Sequence, residues 1–150
     1  MCALTKGDLI SAHEIERNSF STPWGLATIE SELLNPHAKL VGIKDQTRLI
    51  GWGAVRAVAG TGEITNIVID EPKRGQGLSK VLLSAMLSEL SQLGACEVFL
   101  EVRSKNTAAI SLYKKNGFVP VSLRRGYYIK PLDDAIVMKR EMRDFADTCP

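Results

Sequence analysis

The sequence predicts an α/β layered fold with a mixed sheet, on three observations. The middle of the chain alternates strand, helix, strand, helix, strand, the order of a layered α/β fold. The stretch before it carries two strand-like runs joined by the polar turn "KDQTR", the pattern of an antiparallel hairpin. The 150 residues, 45% hydrophobic and 24% charged, suffice for a core of their own, and no repeat or Pro/Gly/Ser linker divides them. A single domain over residues 1–150 is the expectation.

Each element has its own signal. Residues 8–17 form a short amphipathic helix with Leu9, Ile10, Ala12 and Ile15 as its apolar set. Ser21 and Thr22 then offer caps and Pro23 an early helical position, so a second helix is expected from there to Leu34, stopping before Asn35-Pro36. Residues 39–43 and 49–58 are strands, and "EITNIVID" (63–70) is a third, rich in β-branched residues. A long helix spans 78–93; Leu82, Leu83, Met86, Leu87, Leu90 and Leu93 fall on one stripe, and Gly94 stands where a left-handed cap belongs. "CEVFLEV" (96–102) is a buried-type strand interrupted by one acid, Glu101. A fourth helix starts at Asn106 or Thr107 and closes on Asn116-Gly117, and strands follow at about 118–123 and 135–141.

Composition removes several classes. The net charge of +2 does not suit wholesale coating of nucleic acid, and no direct nucleic-acid binding is expected. Cys2, Cys96 and Cys149 are widely spaced, with no CxxC pair or histidine partner, which argues against a disulfide framework or a zinc site and fits a reducing, cytoplasmic setting. His13 and His37 stand alone, and no metal is expected. No secretory signal and no membrane span is evident.

The stretch with most chemistry is "EPKRGQGLSKVLLSAMLSEL" (71–90), a basic, glycine-rich loop running straight into a helix. It is not a Walker A loop, and Lys80 stands where a dinucleotide fingerprint needs its third glycine. Arg74, Gly75, Gln76, Gly77, Leu78 and Ser79 precede the helix, whose first N–H groups have no partner inside it and suit an anion, with Arg74 and Lys80 adding positive charge. The alternative is a solvated turn with an N-cap.

This loop, following "NIVIDEP", and the downstream "LEVRSKNTAAISLYKKNGF" resemble the GNAT N-acetyltransferase family over residues 4–141; Ser79 departs from the Gly or Ala usual there. "FSTPW", "LEVRSKNTAAISLY" and "RRGYY" resemble the branch of that family that acetylates the N-terminal alanine of a small-subunit ribosomal protein. The resemblance implies the GNAT fold, with helices on both faces of a mostly antiparallel sheet and two parallel strands splayed at the cofactor site. It implies acetyl-coenzyme A as cosubstrate, its pyrophosphate held by the loop amides, and the N-terminus of a ribosomal protein as partner. It gives the backbone of Ile67, Val68 and Ile69 the task of stabilising the thioester carbonyl, although these side chains equally suit a buried strand.

Two proton tasks remain in such a transfer: the attacking amine must lose a proton and the departing thiolate must gain one. Glu101 is the candidate base, with burial expected to raise its pKa; the bland alternatives are an ion pair with Arg103 or Lys105, or a strand edge. Tyr113 is the candidate acid. It lies close to two helical turns beyond Asn106, so both share a helix face and Asn106 can serve the cofactor; alternatively Tyr113 is a core tyrosine and Asn106 only an N-cap. Cys96 has no activating neighbour in sequence, which favours direct attack in a ternary complex. For the acceptor, Phe20, Pro23 and Trp24 either line a peptide channel or anchor the second helix, and Arg124, Arg125, Tyr127 and Tyr128 form a basic-aromatic loop resembling the family's peptide-binding segment. Competing expectations are a GNAT enzyme for a small amine, an antibiotic or a lysine, a non-catalytic acyl-coenzyme A-binding module, and a nucleotide-binding module.

Overall fold

The computed structural model describes residues 1–142. Within them one sheet runs in the order β1-β2-β3-β4-β5-β7-β6. Its strands are β1 (Cys2–Ala3), β2 (Ala38–Asp45), β3 (Arg48–Val58), β4 (Thr61–Ile69), β5 (Glu97–Arg103), β6 (Val119–Ile129) and β7 (Leu132–Glu141). The α-helices are α1 (Leu9–Ser19), α2 (Leu26–Leu34), α3 (Leu78–Gln92) and α4 (Thr107–Lys115). Every strand pairing is antiparallel except β4 with β5. The mixed, mostly antiparallel sheet expected from the sequence is therefore the observed one.

Helices cover both faces. Leu9, Ala12 and Ile15 of α1 and Ile29 of α2 pack on Leu40, Leu49, Trp52, Ala54 and Val68. On the other face the apolar stripe of α3 meets Val41, Ile43, Val55, Ile64, Val98 and Leu100, and Tyr113 of α4 joins the same core. Trp52 is fully buried and donates its indole N–H to the Ala12 carbonyl at 3.1 Å, fastening α1 to β3. Gly94 ends α3 with φ +82°, as its sequence position suggested.

The parallel pair separates part-way along. β4 and β5 are paired from Thr61↔Glu97 to Ile64↔Leu100 and no further. A bulge falls at Thr65, opposite Ala54/Val55 of β3. Beyond it β4 continues to Ile69 alongside β3, while β5 continues to Arg103 alongside β7. A V opens between the two strands, with unpaired backbone on its inner edges.

Four local expectations need correction. The second helix is capped by Gly25, not by Ser21 or Thr22; the Trp24 backbone N–H donates to Glu16 and the Ser21 hydroxyl to the Lys130 carbonyl, holding residues 20–25 out of a helix. "RRGYY" is not a loop but the far part of β6, with an irregularity between Arg124 and Tyr128. β5 is not buried on both faces: Val98, Leu100 and Val102 point into the core, whereas Glu97, Phe99, Glu101 and Arg103 share a half-exposed face, because α1 and α2 pack mainly over β2, β3 and β4. Cys2 is a free thiol, but Cys96 is disulfide-bonded, against the cysteine reading above. Cys149 and the end of the expected 1–150 domain lie outside the described residues.

Candidate active site

Two cavities occupy the V and its mouth. The first, of about 620 Å³, is bounded by Ile67, Val68 and Ile69 of β4, by Arg74, Gly75, Gly77, Leu78, Ser79 and Lys80 of the loop and α3, and by Asn106, Ala108, Ala109 and Leu112 at the start of α4. The second, of about 670 Å³, is bounded by Glu16, Trp24, Thr65, Asn66, Leu100, Glu101, Arg103, Tyr128 and Asp133 among others. Ser19, Phe20, Ile67, Asn106 and Tyr113 border both.

The loop at the first cavity is shaped by backbone torsion. Gly75 has φ +77° and Gly77, the N-cap of α3, has φ +76°, a region that glycine enters without steric cost. The Arg74 guanidinium ties the loop down, donating to the Ile69 carbonyl at 3.0 Å and to the Ser19 hydroxyl at 2.9 Å. The opening residues of α3 line the cavity, and the first N–H groups of a helix have no intrahelical partner. This donor set fits a pyrophosphate: several aligned N–H groups at a helix start, with Arg74 and Lys80 on the same wall. Across from it the Asn106 side chain caps α4 by accepting the Ala109 N–H at 3.2 Å. All the expected cofactor residues border this cavity except Gln76.

Tyr113 stands where the cavities meet. It is buried at 5% exposure, edge-on to Phe118 with ring centroids 5.8 Å apart. Burial, with a smaller effect from Tyr128, pushes its phenol up to about 12. The phenol therefore holds its proton at any physiological pH.

Glu101 borders only the second cavity. Its side chain is 25% exposed and accepts a salt bridge from Arg124 at 3.0 Å, so the partner is neither Arg103 nor Lys105. The Tyr127 phenol also hydrogen-bonds Glu101, which raises the phenol's pKa. Arg103 instead lies over the Tyr128 ring, 4.2 Å from its centroid, and donates to the Pro131 and Lys130 carbonyls at 2.8 and 3.0 Å. The basic-aromatic cluster is thus assembled against β5 by pairing of β6 with β7. Of the expected acceptor residues, Phe20, Trp24 and Tyr128 border the second cavity; Pro23, Arg125 and Tyr127 do not, though Tyr127 touches Glu101. Trp24 leans edge-on against Trp52 at 5.9 Å, so it is both a wall of the cavity and an anchor to the core.

Sequence reasoning missed two acids on this wall, Asp133 of β7 and Glu16. Glu16, in α1, is 2% exposed. Its carboxylate accepts the Asn66 side-chain N–H at 2.8 Å and the Trp24 backbone N–H at 3.2 Å. Burial raises its pKa, and the hydrogen bonds from Asn66 and Trp24 hold that rise in check. The available signal was weak: an acid at a position next to the apolar Ile15, on a short helix.

Among the described residues no group of three or more His, Cys, Asp or Glu side chains could hold a metal ion, and no helix is long and apolar enough to cross a membrane.

Comparison with known proteins gives a consistent answer. The family model described as the Acetyltransferase (GNAT) family matches residues 9–118. A Mycobacterium tuberculosis protein named N-alpha-acetyltransferase RimI is 34% identical over 148 residues, covering 95% of this chain and 92% of that protein. The Escherichia coli [ribosomal protein bS18]-alanine N-acetyltransferase is 30% identical over 138 residues, covering 91% of this chain and 93% of its own. The crystal structure of the ribosomal-protein-S18-alanine N-acetyltransferase from Escherichia coli superposes with a TM-score of 0.86 at 30% identity, covering 93% of this chain and 91% of that one.

Proposed function

The chain belongs to the GNAT acetyltransferase family, and from that premise we propose that it transfers acetyl from acetyl-coenzyme A to the N-terminal alanine of a small-subunit ribosomal protein, the counterpart of bS18. The observation that carries this reading is the pair of cavities sharing Tyr113 and Asn106, one walled by helix-start amides and the other by Glu101 and aromatic side chains.

Bound coenzyme supplies an activated acetyl group as a thioester. Arg74, Lys80 and the amides of Gly75 and of residues 77–80 hold its phosphates, and Asn106 guides its arm toward Tyr113. The inner-edge N–H groups of Ile67 and Ile69 are the donors for charge developing on a carbonyl oxygen, since β5 no longer occupies them, while Val68 between them is directed to Trp52 of β3. Glu101 takes the proton of the attacking amine, directly or through a water. An α-amino group, with a reference pKa near 8 against about 10.4 for lysine, gives up that proton far more readily at neutral pH. Tyr113 holds the proton that faces the leaving sulfur. No described cysteine borders either cavity, which supports direct attack over an acetyl-enzyme.

The test is intact-mass analysis of the organism's own bS18, with and without this enzyme and acetyl-coenzyme A, beside a form whose α-amine is blocked. A gain of one acetyl on the free form alone is expected. Equal acetylation of the blocked form transfers the activity to lysine, and no acetylation of either form overturns the proposal.

A further inference from the structure

Five acids are buried among the described residues: Asp8, Glu16, Glu32, Asp70 and Asp133. Asp8 pairs with Lys44 at 2.8 Å, Glu32 with Arg56, and Asp70 with Arg48 at 3.1 Å. Asp133 accepts the Ser104 hydroxyl and the backbone N–H groups of Lys105 and Asp134, and its pKa is lowered. Glu16, like Asp133, forms no ion pair among the described residues, but where Asp133 has three hydrogen-bond donors Glu16 has two, Trp24 and Asn66, both neutral.

His13 acts on Glu16 electrostatically without forming an ion pair with it; a buried carboxylate so weakly compensated is costly, and a leucine in its place would pack without that cost. A carboxylate offers about four lone-pair positions, and two are used here. Glu16 and both of its donors border the acceptor cavity, together with Glu101. The cavity's expected guest brings the missing charge: an α-amine of pKa near 8 arrives roughly nine-tenths protonated at pH 7.

We propose that Glu16 is the anionic subsite that receives the acceptor's α-ammonium and seats it beside Glu101. This rests on the reading above that the acceptor is a protein α-amine. Glu101, paired to Arg124, is left to take the proton, so the site divides binding and deprotonation between two carboxylates. The raised pKa of Glu16 agrees, being that of a carboxylate awaiting a counter-charge. Asn66 and the Trp24 amide hold it in place, which couples the acceptor wall to β4 just past the bulge.

The test compares binding of two probes to the full chain saturated with coenzyme A. One is a short peptide with the alanine-initiated sequence of bS18. The other is its desamino analogue, with propionyl replacing alanine, identical but for the ammonium. Wild type is expected to favour the amine by on the order of ten- to a hundredfold, the range for hydrogen bonds to charged groups. Glu16→Gln should bring the two affinities to within about threefold, while coenzyme A affinity stays unchanged. A purely structural Glu16 would weaken both probes alike and keep their ratio, and that result overturns the proposal. If Glu16→Gln does not fold, Glu16→Asp decides: a retained preference supports the subsite and a lost one overturns it. An undiminished preference in Glu16→Gln, with wild type still acetylating the peptide, removes this subsite and leaves the proposed acetylation standing. Failure of wild type to acetylate any peptide or protein removes both.

Discussion

A phenol at about 12 cannot simply hand its proton to a thiolate whose thiol sits near 8.5. Complete transfer that left a tyrosinate behind would run uphill by about 5 kcal/mol. On the proposed mechanism the thiolate is neutralised by the proton that the amine releases, while Tyr113 donates a hydrogen bond to the departing sulfur and keeps its own proton. Its ionisation lies outside the working range, so kcat/KM for a free α-amine peptide should rise with pH through about 8 and show no fall below about pH 10. Tyr113→Phe and Glu101→Gln should each bind coenzyme A normally yet slow transfer by on the order of 10² to 10⁴, measured by single-turnover acetylation; full turnover by both variants would remove these assignments. Tyr113 and Asn106 were legible in the sequence because helical periodicity and cap chemistry are local. Glu101 was legible as an acid in an apolar strand, but its ion-pair partner was not, since Arg124 reaches it only through the pairing of β6 with β7. Glu16 was hidden because a glutamate on a short helix ordinarily faces water, and only the position of β4 and Trp24 turns it inward.

Among the elements, the loop before α3 owes its shape to two glycines with positive φ. A Cβ on Gly77 would meet no atom within 4 Å, so Gly77→Ala carries a purely conformational cost, about 1–2 kcal/mol. A thermal midpoint lower by about 3–6 °C is expected, with coenzyme A affinity weakened by on the order of tenfold as the amides are re-aimed. The segment between β5 and α4 is braced differently. Asp133 accepts the Ser104 hydroxyl and the Lys105 N–H, and these contacts, the first above all, lower its pKa from the ordinary 3.8. A carboxyl lowered by folding stabilises fully above its unfolded value, and that support is lost as pH falls through the lower folded value. Asp133→Asn should therefore lower the midpoint at pH 6 and flatten its decline below about pH 4, checked by thermal scans from pH 2 to 6. The start of α2 shows the opposite kind of legibility. Ser21, Thr22 and Pro23 imitate a helix start, but the buried carboxylate of Glu16 takes the Trp24 amide and delays the helix to Leu26.

At the scale of the whole molecule, layer order and the mixed sheet could be read from the strand-helix alternation, whereas the separation of β4 from β5 could not. Nothing in "EITNIVID" marks Thr65 as a bulge; it arises where β4 must pair with β3 across Ala54/Val55 while parting from β5. That parting gives the two cavities one common boundary at Phe20, Ile67, Asn106 and Tyr113. Adjoining chambers with a shared wall lend themselves to a tethered inhibitor. A chimera joining coenzyme A through its sulfur to the α-nitrogen of an alanine peptide fills both at once, and seating one half presents the other at millimolar effective concentration. Such a chimera should bind about 10² to 10⁴ times more tightly than coenzyme A alone, and lengthening its tether should erode that gain.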